Sequence, residues 1–147
     1  MTEGAGRIAD LYSGFGTFSI PLARRGAEVL SIEGAADALA ALAQAARKNG
    51  LRIRTQQRDL ARDPLQGAEL DDFDAVVFDP PRVGAKAQSI ALAGSKVPVV
   101  VAVSCNPATL ARDARLLTQG GYRLERVAPI DQFLWSPHLE VVALLRR

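Results

Sequence analysis

The chain has 147 residues, 48% hydrophobic and 23% charged, which suits one globular domain with a real core and excludes a disordered tail. Basic and acidic residues nearly cancel, 18 against 16, so the charge balance permits nucleic-acid binding without arguing for it. One cysteine and one histidine exclude an internal disulfide framework and a Cys- or His-rich metal site.

Residues 7–12 form a short apolar run that ends in Ser13-Gly14-Phe15-Gly16. This predicts a buried strand running into a glycine turn. Helical spacing follows over 17–25, with Pro21 near its first turn and Gly26 as its stop. A second strand is predicted over 27–32, closed by Glu33. The Ala/Leu-rich stretch 35–48 reads as a helix stopped by Asn49-Gly50. Residues 51–57 alternate like a strand near a sheet edge, and 59–72 are polar and loop-like with one helical turn. A fourth strand over 73–78 is halted by Asp79-Pro80-Pro81. A modest helix is predicted over 85–93. The β-branched run 97–103 is predicted as a central strand. Ser104-Cys105-Asn106-Pro107 ends it, and a helix over 108–119 stops at Gly120-Gly121. The runs 122–130 and 139–145 read as two final strands with no helix between them.

Five strand–helix steps followed by two adjacent strands predict a doubly wound α/β fold. Its sheet is seven-stranded and mostly parallel, with a C-terminal antiparallel hairpin. Ligands of such sheets sit beyond the carboxyl ends of the strands, so the residues after each strand are the candidates. After the first strand, Asp10, Tyr12, Ser13, Gly14 and Gly16 form a loop where a ligand can approach backbone at a helix N-terminus. An acidic Asp10 repels a pyrophosphate and suits an ammonium or sulfonium charge. Ser19 stands where a dinucleotide fingerprint has its third glycine. Glu33, about 20 residues past the glycines, either binds ribose hydroxyls or serves as a helix N-terminal charge. Asp59 is a candidate acceptor for an adenine amino group, or a solvated loop carboxylate. Asp79, before two prolines, faces the crevice. Cys105 stands between a strand and a helix, where an exposed thiol favours its thiolate; a packed small residue is the alternative. Glu140 opens an otherwise apolar strand, which suits a group facing a site or solvent. His138, its neighbour but one, is a base or a structural hydrogen-bonder.

Four strings occur in order: Asp10-Leu-Tyr-Ser-Gly-Phe-Gly-Thr-Phe-Ser, Asp79-Pro-Pro-Arg-Val-Gly, Ser104-Cys-Asn-Pro-Ala-Thr-Leu-Ala-Arg-Asp113 and His138-Leu-Glu140. Together they resemble the RNA uracil-C5 methyltransferases of the TrmA/RumA type over nearly the whole chain. The resemblance implies a class I, Rossmann-like methyltransferase fold, with S-adenosyl-L-methionine as methyl donor and a tRNA or rRNA as partner. It implies that Cys105 attacks C6 of a uracil, that Glu140 removes the C5 proton, and that Asp79 sits beside donor and base. Asp10, Tyr12, Ser13, Gly14, Gly16, Glu33, Asp59 and Asp79 are then the donor-binding set. No metal is implied.

Members of that family carry an N-terminal RNA-binding part and a glutamine that contacts the donor ahead of the first strand. The six residues before Arg7 contain no glutamine, so residues 1–147 are expected to be a catalytic domain cut from a longer protein and to bind RNA weakly alone. The cysteine-rich iron–sulfur segment of some members is absent. With no apolar run near the roughly 18 residues of a membrane span and no signal-type start, the expected location is the cytoplasm. Two other readings of the same strand ends are a nucleotide-dependent oxidoreductase, which Asp10 and Ser19 disfavour, and a non-catalytic module that binds cofactor or RNA.

Overall fold

The computed structural model describes residues 6–131 and 139–147. The Pro137-His138 pair singled out above lies outside the described residues. The strands are β1 (Arg7–Leu11), β2 (Glu28–Glu33), β3 (Ile53–Gln57), β4 (Ala75–Phe78), β5 (Val99–Ser104), β6 (Arg123–Ile130) and β7 (Glu140–Arg146). The helices are α1 (Ser19–Arg24), α2 (Ala36–Lys48), α3 (Ala68–Asp71), α4 (Lys86–Ala93) and α5 (Pro107–Gln119).

All seven strands form one sheet in the order β3-β2-β1-β4-β5-β7-β6. β1 to β5 pair in parallel, as strand–helix alternation requires. β7 is antiparallel to both β5 and β6. The predicted hairpin is therefore present, but its second strand lies inside the sheet rather than at the edge. The crossover through α5 leaves a gap one strand wide beside β5, and β7 returns to fill it. β3 is an edge strand, as its alternation suggests, and the β-branched β5 is interior.

Each face of the sheet has its own apolar layer. Leu11, Val76, Phe78, Val100, Ala102 and Leu145 pack on one face with Leu92 of α4 and Leu110 and Leu117 of α5. Ile8, Val29, Val77, Val101 and Leu144 form the layer on the other face, joined by Ala23 of α1. α5 begins where chemistry dictates: Pro107 occupies its first turn, and the Asn106 side chain accepts from the Ala108 N–H at 3.1 Å. α1 starts two residues later than the helical spacing suggested, because Gly16 at φ 92° still belongs to the turn. β4 likewise starts at Ala75 rather than residue 73, since the Asp74 carboxylate is turned back onto the Gly6 and Arg7 amides at 2.8 Å.

Candidate active site

Parallel strands bring their carboxyl ends to one rim, and an antiparallel strand brings its amino end there. Leu11 pairs with both Ile32 and Phe78, Phe78 with Ala102, and Ser104 with Val141. The residues just past these pairs are Tyr12, Glu33, Asp79, Cys105 and Glu140. Five candidates spread over 129 positions of sequence thus stand along one edge.

The β1–β2 end of this rim is built from backbone. Tyr12 has φ 60°, an uncommon conformation for a bulky side chain, and it turns the chain sharply out of β1. Gly14, at φ 51°, faces open space where a Cβ would touch nothing within 4 Å, so a ligand can approach its backbone. Gly16 serves another purpose: a Cβ there would collide with the Leu42 side chain of α2, so this glycine lets α2 close onto the loop. The Glu33 carboxylate accepts from the Gly14 N–H at 3.0 Å, the Gly34 N–H at 2.7 Å and the Ala35 N–H at 3.0 Å. It thereby holds the glycine loop to the start of α2, and it retains lone pairs for a ligand hydroxyl.

Asp10 lies one layer below the loop, with no exposed surface. Its carboxylate accepts from the Ser19 hydroxyl, which in turn lies 2.6 Å from the Ser31 hydroxyl. Burial pushes the Asp10 pKa up to about 7, against the Ser19 hydrogen bonds; Asp79 and Glu33 add smaller upward pushes by charge repulsion. The sequence reading set Asp10 directly against a ligand. In the structure it lies beneath the loop with no exposed surface, its carboxyl bonded to Ser19. Its Oδ1 and the Ser13 Oγ are buried with no hydrogen-bond partner among the described residues.

Tyr12, Ala61, Pro81, Val83, Gly84 and Ile90 are among the lining of an apolar cleft of about 460 Å³. Burial, and then the charges of Asp113 and Asp59, push the Tyr12 hydroxyl up to about 12. Asp59 itself is exposed. It accepts from the Ala61 N–H at 3.0 Å and pairs with Arg62 at 3.6 Å, a loop-turn role, and it does not line the cleft although its charge reaches Tyr12 there.

The β4–β5–β7 end is different in kind. Asp79 is half-buried. Its N–H reaches the Leu11 carbonyl at 3.3 Å, while burial, and then the charge of Glu140, raise its carboxyl above the usual range. Glu140 therefore lies within electrostatic reach of Asp79. Cys105 is half-exposed, next to the Asn106 cap of α5. Ser104 holds the turn beside it, accepting from the Asn106 N–H at 3.0 Å and donating to the Asn106 carbonyl at 3.1 Å. The β5–β7 register ends at the Ser104–Val141 pair, and Cys105 and Glu140 are the next residues toward the rim on the two strands.

Sequence reasoning missed four residues of α5 and its cap. Asn106 and Thr109 donate to the Arg82 carbonyl, Arg112 donates to the Val83 carbonyl, and Asp113 accepts from the Ala85 N–H. The helical spacing of Asn106, Thr109 and Asp113 on one face carried that signal. Among the described residues no group of three metal-ligating side chains converges, and no helix is long and apolar enough to cross a membrane.

The family model described as tRNA (uracil-5-)-methyltransferase matches residues 1–147. The chain belongs to this family. It is 57% identical over 143 residues to an uncharacterized RNA methyltransferase of Agrobacterium fabrum, covering 96% of this chain and 34% of that protein. It is 46% identical over 146 residues to the 23S rRNA (uracil(1939)-C(5))-methyltransferase RlmD of Chromohalobacter salexigens, covering 99% of this chain and 30% of that protein. The crystal structure of Pyrococcus abyssi tRNA (uracil-54, C5)-methyltransferase in complex with S-adenosyl-L-homocysteine superposes with a TM-score of 0.83. There the identity is 35%, over 94% of this chain and 33% of that one. The chain thus spans about a third of the length of the relatives it matches. The doubly wound sheet with its antiparallel C-terminal strands is the fold of S-adenosylmethionine-dependent methyltransferases.

Proposed function

We propose that this domain transfers a methyl group from S-adenosyl-L-methionine to C5 of a uridine in tRNA or rRNA, through a temporary bond between Cys105 and C6. The observation that carries the reading is the β5–β7 register, with Ser104 opposite Val141. It supports the reading by bringing two residues far apart in sequence, one carrying a thiol and one a carboxylate, toward the same rim.

The residues present fit the donor. Glu33 and Asp79 place carboxyl groups along the rim, which suits a sulfonium and an ammonium group. Two buried polar atoms without a partner, Asp10 Oδ1 and Ser13 Oγ, lie at the glycine loop, and Gly14 leaves open space for a close approach. Glu33 stands at the distance past the glycines where a carboxylate meets ribose hydroxyls. The apolar cleft walled by Tyr12 and Pro81 suits a flat purine, with the charge of Asp59 reaching Tyr12.

When bound, the donor supplies an electrophilic methyl group. The chain supplies everything that readies the uracil for it. C5 of uracil is a poor nucleophile, and addition of the Cys105 thiolate to C6 pushes electron density onto C5, splitting one hard step into easier ones. Once C5 carries the methyl group, Glu140 accepts the C5 proton, the C5–C6 double bond re-forms and the C6–S bond breaks, returning the thiolate. Asp79 holds the donor-side wall of the crevice. The uridine must be single-stranded or turned out of its stack to reach a thiol in this recess.

The test uses RNA carrying 5-fluorouridine, whose C5 bears no removable proton. Incubated with the protein and donor, it should give a covalent complex that survives a denaturing gel, and Cys105→Ala should abolish it. A complex that persists in Cys105→Ala would remove Cys105 from the role of nucleophile.

A further inference from the structure

The loop after Asp79 is gripped by one face of α5 and its cap. The Arg82 carbonyl accepts from Asn106 Nδ2 at 3.1 Å and Thr109 Oγ1 at 3.3 Å. The Val83 carbonyl accepts from Arg112 Nη2 at 3.0 Å, and the Ala85 N–H donates to Asp113 Oδ2 at 2.7 Å. Asp113 is 1% exposed, and its other oxygen takes Arg112 through Nε at 2.9 Å and Nη2 at 2.8 Å. Gly84, at φ 79°, is what lets the two backbones meet. A Cβ there would lie 2.5 Å from Arg112 Nη2 and 2.6 Å from Asp113 Oδ2.

Core packing does not require this arrangement. α5 already buries Leu110, Ala114 and Leu117, and a buried ion pair is weak evidence of stabilisation. Nor does burial hold the loop, since Val83 is 74% exposed at its tip. What the grip fixes is a relation between two places. Asp79 is tied to the sheet through the Leu11 carbonyl at its own N–H, and Pro80-Pro81 stiffen the chain to Arg82. The helix that grips Arg82 to Ala85 presents Cys105 at its head.

We propose that Asp113, acting through Arg112, is a positioning residue that sets the Asp79 loop relative to Cys105 for attack on the uracil. This rests on the reading of Cys105 as nucleophile. Asp113 touches no reacting atom; its charge orients the Arg112 fork, and the pair together hold the Val83 carbonyl and the Ala85 amide. Attack on C6 depends on sub-ångström placement of sulfur against a base held from the loop side, and a misplacement of about 1 Å costs on the order of a hundredfold in rate.

The experiment compares wild type, Arg112→Ala, Arg112→Lys and Asp113→Asn in the intact protein. The readouts are the rate of covalent complex formation with 5-fluorouridine RNA at saturating RNA and donor, the Kd for S-adenosylhomocysteine by calorimetry, and the thermal midpoint. Arg112 is partly exposed, and Arg112→Lys keeps a cation beside the buried Asp113, so that variant reads the rate even if Arg112→Ala, which strands a buried carboxylate, or Asp113→Asn fails to fold. Arg112→Ala should slow complex formation at saturating donor by about ten- to a hundredfold, beyond any weakening of Kd that follows from Val83 and Gly84 also lining the cleft given to the donor. Arg112→Lys, which keeps one charge-assisted bond to Asp113, should recover part of the rate. Unchanged rates in Arg112→Ala, or rates that fall only with the folded fraction, would overturn the positioning role. Wild type forming no complex would instead overturn the nucleophile reading, and the inference with it.

Discussion

The two ends of the crevice rim are built by opposite means. At the β1–β2 end a network within the chain is already in place: Glu33 holds three backbone amides, and Ser19 links Asp10 to Ser31, while Asp10 Oδ1 and Ser13 Oγ are left without a partner among the described residues. At the β4–β5–β7 end burial and then the charge of Glu140 raise the Asp79 carboxyl, and Cys105 stands half-exposed. A binding surface benefits from groups that are locked before the ligand arrives. A reacting surface needs groups whose protons and electron pairs are still available. On the function proposed above, the first end recognises the donor and the second makes and breaks bonds.

Glu140→Gln should separate the two ends most sharply. Donor binding should be unchanged, while product formation falls by about a thousandfold, and ordinary uridine RNA should remain attached to Cys105 because the C5 proton stays. A denaturing gel reads this directly. If product forms at the wild-type rate, the base lies elsewhere.

Next in size is the pH response of the buried carboxyl beneath the loop. Folded Asp10 keeps its proton up to about pH 7, while the unfolded chain releases it near the ordinary 3.8. The folded state therefore binds more protons between those values, and stability falls as pH rises from about 4 to 7, then levels off. The full shift corresponds to at most about 4 kcal/mol. Asp79, also raised, adds to the same slope. Asp10→Asn should match wild type near pH 4, be more stable at pH 8, and flatten the slope in urea unfolding. A slope of opposite sign would mean that Asp10 is ionised and stabilised in the folded state.

The two glycines of the loop make the finest comparison. Gly16→Ala meets Leu42 and a strained φ of 92°, and should cost about 2–4 kcal/mol of stability. Gly14→Ala meets nothing and should cost only about 1 kcal/mol, the left-handed penalty, yet weaken S-adenosylhomocysteine binding by occupying the open space. Calorimetry and denaturation on both variants check this, and equal binding losses would erase the distinction.

Much of the fold was readable in advance because its signals are local. Ala/Leu spacing over α2, the β-branched run of β5, and the stops at Gly26, Asn49-Gly50 and Asp79-Pro80 each act within a few residues. The α5 grip on the Arg82–Ala85 backbone was not readable. It joins side chains to carbonyls and an amide some 24–29 positions away, and nothing in local propensity marks which helix face meets which loop. The depth of Asp10 was hidden for the same reason: an acid after an apolar run looks identical whether it lines a crevice or lies beneath one, and only the closure of Ser19 and Ser31 over it distinguishes the two.

Local patterning, then, was enough to assign strands and helices and to nominate Cys105, Asp79 and Glu140, because hydrophobic period and turn chemistry act over one or two turns of chain. That all three stand at one rim follows from a doubly wound sheet, but which strands are neighbours had to await the fold. Strand order is chosen by the packing of whole elements, and it is the insertion of β7 between β5 and β6 that brings the start of β7 beside the end of β5.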